Sequence, residues 1–156
     1  MTPSLGSAPV KEFMTPDPER LPHDFSVAEA TDFLLERRIG GAPVVGNDGF
    51  PMSVVSTTDL LRTVNEELFR REATPGCIAA LRARSLGEIV ARAPISCEEN
   101  TPLREACRIL SRERVHRLVV TRQGVPVGIL STLDVARAVA ALPRPPGPPP
   151  AGSAGA

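Results

Sequence analysis

The sequence predicts an α/β fold assembled from two copies of one helix–strand–strand–helix unit. Three observations predict it. First, "GFPMSVVSTTDLLRTV" at residues 49–64 returns as "GVPVGILSTLDVARAV" at residues 124–139. Second, "VAEATDFLLERRI" from Val27 matches "LREACRILSRERV" from Leu103 at a shift of 76, and the run from Pro43 matches the run from Leu118 at a shift of 75. This alignment puts one lost residue near Gly41. Third, the leading segments "VKEFMTPDP" and "LGEIVARAP" also agree, so two units of about sixty residues fill most of the chain.

The elements follow in order. Residues 1–7 are a short tail, and residues 8–66 form the first unit. Ser26 and Glu29 have the spacing of a capping box, and Val27, Ala30, Phe33 and Leu34 give helical periodicity. Val44-Val45, the turn "NDG" and a second apolar run then predict a β-hairpin. A helix starts directly after Ser56, with Leu60, Leu61, Val64 and Leu68 expected to face inward. Residues 67–84 are a linker that extends this helix, breaks at Thr74-Pro75-Gly76 and resumes as a basic helical piece. Residues 85–142 repeat the plan: Thr101-Pro102 as the helix start, Leu103, Ala106, Ile109 and Leu110 as its apolar face, a hairpin around "QG", and a last helix burying Val135, Ala138, Val139 and Leu142. A unit this small cannot close a core alone, so the two must pack together. Residues 143–156, six of them proline, are expected to be a disordered tail.

Composition narrows the function. Five Phe with no Trp or Tyr leave little for stacking on single-stranded nucleic acid. A formal net charge of zero removes the general electrostatic case for nucleic acid or anionic membrane. Cys77, Cys97 and Cys107 show neither zinc spacing nor a disulfide framework. The N-terminus lacks a signal-peptide pattern, and no apolar run reaches bilayer-spanning length. A cytoplasmic protein without membrane partners is the expectation. Phosphate-loop, zinc-hydrolase and nucleophile-elbow motifs are missing, so catalysis is not expected.

What remains is the Ser-Thr-x-Asp turn between the second strand and the last helix of each unit. A helix start presents unpaired N–H groups and partial positive charge, which favour anions. Ser56, Thr58, Ser131 and Thr132 add hydroxyls there, and Asp59 and Asp134 add carboxylates suited to a ribose diol. Hydroxyls for phosphate beside a carboxylate for a diol outline a nucleotide site. The same residues are also ordinary helix caps, and the pattern alone leaves both readings open.

The two units resemble paired cystathionine-β-synthase (CBS) domains, the Bateman module, over roughly residues 8–142. The marks are "FMTPDP" and the glycine–hydrophobic–hydrophobic–Ser-Thr-x-Asp turn. The resemblance implies β-α repeats packed about a pseudo-twofold axis, each with a small mixed sheet and two helices. It also implies an adenine nucleotide (AMP, ADP or ATP) or S-adenosylmethionine as ligand in the cleft between repeats, and a homodimer. By matching position, Asp134 would hold ribose, Ser131 and Thr132 would line the ribose-phosphate end, and His116 and Arg117 would face phosphate. Ser56, Thr58 and Asp59 take those places in the first unit, while Thr15 and Pro16 resemble the part framing adenine. No cofactor or metal is required.

The copies diverge at the site. Gly40-Gly41 stands where His116-Arg117 stands, Ser53 replaces the glycine matched by Gly128, and Leu133 lacks the hydroxyl of Thr58. A charge-assisted hydrogen bond is worth about 1.5–3 kcal/mol. An arginine at one site only would therefore separate the affinities by roughly tenfold or more, favouring the Asp134 site, unless Arg117 reaches across the axis. The function expected is a stand-alone regulatory pair that passes an adenine-nucleotide signal to an effector protein. The alternative is a ligand-free scaffold with degenerate pockets.

Overall fold

The duplication is carried through the backbone. The structure is a computed structural model that describes residues 4–70, 74–90 and 92–143; the proline-rich segment beyond residue 143 lies outside them. Two short 3-10 turns, Leu5–Ser7 and Val10–Glu12, precede β1 (Thr15–Pro16) and β2 (Leu21–Pro22). Then come α1 (Val27–Arg37), β3 (Gly41–Val45), β4 (Pro51–Ser56) and α2 (Thr57–Arg70). The linker holds α3 (Pro75–Ala83), and the second unit consists of α4 (Leu86–Ile89), β5 (Ser96–Glu98), α5 (Leu103–Glu113), β6 (Arg117–Arg122), β7 (Val125–Ser131) and α6 (Thr132–Ala140).

Both sheets are mixed. One is ordered β2-β3-β4 and the other β1-β7-β6-β5, with β2–β3 and β5–β6 parallel and the hairpins antiparallel. Gly41 pairs with Ser56 as Arg117 pairs with Ser131, and Val44 with Ser53 as Val120 with Gly128. The shift therefore stays at 76 through β3 and becomes 75 only beyond it. The one-residue difference sits in the hairpin turn, where the first unit is longer, and not near Gly41. Gln123 and Gly124, both at positive φ, make the tight second turn.

Each unit packs its own apolar cluster, with equivalent positions filled in both. Leu21, Val27, Ala30, Leu34, Val44 and Val55 correspond to Cys97, Leu103, Ala106, Leu110, Val120 and Leu130. The ninth member of one cluster, Leu86, comes from the second unit's leading segment, and its counterpart Val10 lies in the other cluster. The leading segments are thus exchanged. Val27 N–H donates to the Arg84 carbonyl (2.8 Å) as Leu103 N–H donates to that of Ala8 (2.9 Å). Bridges Pro9–Pro102 and Ser26–Ser85 repeat the exchange.

Several sequence expectations need correction. Ser26 and Glu29 do form the capping box, but α5 begins at Leu103, after an extended Pro102 that offers no side-chain cap. Phe33 and Ile109 are only partly buried. Leu60 is buried, yet Leu61 is 69% exposed, and Leu68, Val139 and Leu142 are exposed too. Helical spacing identified one apolar stripe on α2 and α6; the sheet covers only part of it, and the rest faces outward. The linker helix α3 is capped by Thr74, whose Oγ1 accepts from Cys77 N–H, and it packs on α1 and α2 with Leu81 buried. Among the described residues no helix is long and apolar enough to cross a membrane.

Candidate functional site

The strand-to-helix turns are closed by matched capping boxes. Ser131 N–H and Oγ–H both donate to Asp134 Oδ2 (2.8 and 2.6 Å), and Asp134 N–H donates back to Ser131 Oγ (3.2 Å). Ser56 and Asp59 reproduce this at 2.9, 2.6 and 3.2 Å. Capping is therefore what these residues do in the folded chain. It occupies one carboxylate oxygen of each aspartate. The other, Oδ1, faces an arginine one turn on, Arg62 at 3.6 Å and Arg137 at 3.8 Å, too long for strong pairing. One carboxylate oxygen per unit therefore takes no part in the capping box. The repeated Asp-x-x-Arg spacing, read as a helix pair, was the signal for Arg62 and Arg137 that sequence reasoning passed over. Asp134 is the more enclosed carboxylate, with its side chain 11% exposed against 45% for Asp59.

Arg117 connects the two turns. Its backbone lies beside Ser131 in the second unit, but its guanidinium extends over the first unit. A Cβ placed on Gly40 would stand 2.6 Å from Nη2, and one on Gly41 would stand 3.0 Å from Nη1. The missing side chains of Gly40-Gly41 are what make room for the head group. Burial pulls the guanidinium below its ordinary pKa, while Asp59 and Asp134 together oppose that shift. It stays cationic, as an arginine does in proteins. Among the described residues it has no hydrogen-bond or ion-pair partner. The reach across the axis, rather than a private second-unit cation, is thus the geometry adopted.

The remaining expected site residues divide. Thr15 and Pro16 form β1, paired with Ile129 and Gly128 of β7. Gly128 permits this approach, since a Cβ there would overlap Met14 Sδ and lie 3.0 Å from the Thr15 carbonyl oxygen. Thr58 is exposed on the first turn of α2. His116 and Thr132 instead line an open groove of about 450 Å³ between α5 and α6, with Cys107, Leu110, Arg114 and Val135. His116 stands in the bend just before β6 and lines this groove, while the Arg117 head lies against Gly40-Gly41, so the two are not brought together. Between the two hairpins, Pro43, Pro51, Val119, Pro126 and Gly128 enclose a crevice of only about 10 Å³, room for one water.

With that geometry in hand, similarity to known proteins is informative. The sequence model described as the CBS domain matches residues 10–66 and 86–141. The chain belongs to the CBS domain family, as a tandem pair. It is 32% identical over 162 residues to the chloroplastic CBS domain-containing protein CBSX1 of Arabidopsis thaliana, covering 92% of this chain and 69% of that one. To the gamma-3 subunit of 5'-AMP-activated protein kinase of Homo sapiens it is 27% identical over 119 residues, covering 75% of this chain and 23% of the subunit. Its fold is similar to the crystal structure of CBSX2 in complex with AMP, at a TM-score of 0.69, 29% identity, and coverage of 85% and 96%.

Proposed function

We propose that this chain is a regulatory adenine-nucleotide sensor, with AMP as the ligand chemistry best supported. The observation that carries the reading is Arg117, a partly buried cation set between two aspartate-capped helix starts and, among the described residues, without a hydrogen-bonded acceptor. Burying such donors unbonded is costly, and a phosphate supplies the acceptor. The similarity to an AMP-bound CBS pair supports the same ligand class. In this reading Asp59 and Asp134 offer Oδ1 to the ribose, Ser56, Thr58 and Ser131 flank it, and Thr15-Pro16 borders the base. Binding alters the relative placement of the units, and an effector protein reads the change. A shift of this kind requires different affinities for the two arrangements. The role is one of binding, not catalysis.

A homodimer is part of the proposal. The groove between α5 and α6, together with exposed Leu61, Leu133, Val139 and Leu142, is apolar surface of the kind subunits cover. The competing reading, a ligand-free scaffold, is favoured by the narrow crevice between the hairpins and by Ser53, buried where the second unit has glycine. Thermal denaturation with AMP, ATP and S-adenosylmethionine separates the two. A ligand at a hundred times its Kd adds about 2.7 kcal/mol to a native state that alone binds it. The expected result is a dose-dependent rise in Tm with AMP that is smaller in Arg117→Gln. No shift with any of the three compounds, and no adenylate released from freshly purified protein by mass spectrometry, supports the scaffold.

A further inference from the structure

We infer that Arg117 is a single cation shared by two phosphate positions, so that phosphate bound in one unit weakens phosphate binding in the other. This rests on the nucleotide reading above and specifies how its two sites are coupled. The Arg117 backbone is paired to Ser131 at one helix start. Its head lies over Gly40-Gly41, where Gly41 pairs with Ser56 and the Gly40 carbonyl accepts from Thr57 N–H at 3.1 Å at the other helix start. The His116 carbonyl accepts from Thr132 N–H at 3.0 Å in the same way. The two starts are thus equivalent in backbone, and one side chain stands between them. Both Asp59 and Asp134 act on its charge.

Physical chemistry then limits what one guanidinium can do. It carries five donors and can turn either edge to an anion, but it supplies one positive charge. Two phosphates gathered around it leave net negative charge about one half-buried cation, and like charges at that range repel. The first phosphate therefore takes the guanidinium, and the second binds without it. Coupling of this sort is reciprocal between the sites. Adenosine, which has no phosphate, escapes it.

Titration calorimetry with AMP and adenosine tests the inference. Wild-type protein is expected to bind two AMP molecules with constants at least tenfold apart, and adenosine with nearly equal ones. Asp59→Ala and Asp134→Ala, each leaving one site, are both expected to keep a tight AMP site that weakens tenfold or more when Arg117→Gln is added, with adenosine unaffected. If either alanine variant fails to fold, Asp59→Asn or Asp134→Asn retains an acceptor for the capping serine and replaces it. Gly40→Ala crowds only the movable end of Arg117 and is expected to weaken AMP in the Asp134 variant but not in the Asp59 variant. Equal AMP constants in wild type, or an Arg117→Gln effect confined to one background, overturns sharing while leaving the nucleotide reading intact. Binding of neither AMP nor adenosine overturns both.

Discussion

Cys97 shows how one buried position is defined by its neighbours. Its thiol takes the place that Leu21 fills in the other unit, inside the apolar cluster, and is pushed up to about 11 by burial, with a smaller contribution from Glu98. The thiolate is the reactive form, so its population near neutral pH falls about a hundredfold from that of an ordinary thiol at 9.0. Iodoacetamide is therefore expected to label Cys97 only after denaturation, as followed by peptide mass spectrometry. Native labelling as fast as in urea would contradict the packing described. The serine and aspartate of each turn were legible from sequence as caps. Their geometry shows that one carboxylate oxygen caps while the other faces the arginine one turn on, a division that spacing cannot express.

At the level of elements, the two hairpins differ in what secures them. In the second unit the Glu98 carboxylate accepts from Thr121 Oγ1 (2.7 Å), Gln123 N–H (3.1 Å) and Gly124 N–H (3.3 Å), holding the β6–β7 turn. Beside it Arg122 grips both oxygens of Glu99, at 2.7 and 2.9 Å. The bond from Thr121 holds Glu98 below the ordinary carboxylate value, and the bond from Arg122 does the same for Glu99. Carboxylates lowered in the folded state stabilise it above the unfolded value of 4.5, and that contribution disappears as pH falls through their folded values. Wild type is thus expected to lose more Tm than Glu98→Gln between pH 6 and pH 3, measured by circular dichroism. Parallel Tm curves would show that the turn does not depend on this anion. The first unit has Pro22 and His23 at the equivalent places, with His23 Nε2 and Asn47 Oδ1 3.0 Å apart instead, and within its longer turn Asp48 Oδ1 accepts from Phe50 N–H at 3.0 Å. The duplicated apolar runs announced both hairpins, whereas their different anchoring depends on residues 23 to 26 positions away in sequence.

For the whole molecule the exchange of leading segments matters most. Leu86 is fully buried in the first unit's cluster and Val10 in the second's, so neither unit completes its core from its own residues. Leu86→Ala is expected to cost about 2–5 kcal/mol and to lower the stability of both units together in one urea transition. A fragment ending at residue 70 is expected not to fold, since it lacks Leu86. Two separate transitions, or a cooperatively folded fragment, would show that the units are independent. The same interleaving bears on the proposed sensing. Thr15-Pro16 is paired to the opposite unit's Gly128 and Ile129, so a ligand touching that strand would act on both halves at once.

Local order was within reach of the sequence alone: periodicity, capping pairs and turn residues are short-range and recur in both copies, so each copy checks the other. The duplicated Ser-Thr-x-Asp turn was legible for the same reason. Which leading segment completes which core, where the arginine head rests, and that His116 lines a different groove from the one Arg117 reaches are consequences of packing across the pseudo-twofold axis. Such contacts join residues about 76 positions apart, Gly41 and Arg117 among them, and only burial and excluded volume in the folded chain choose between them.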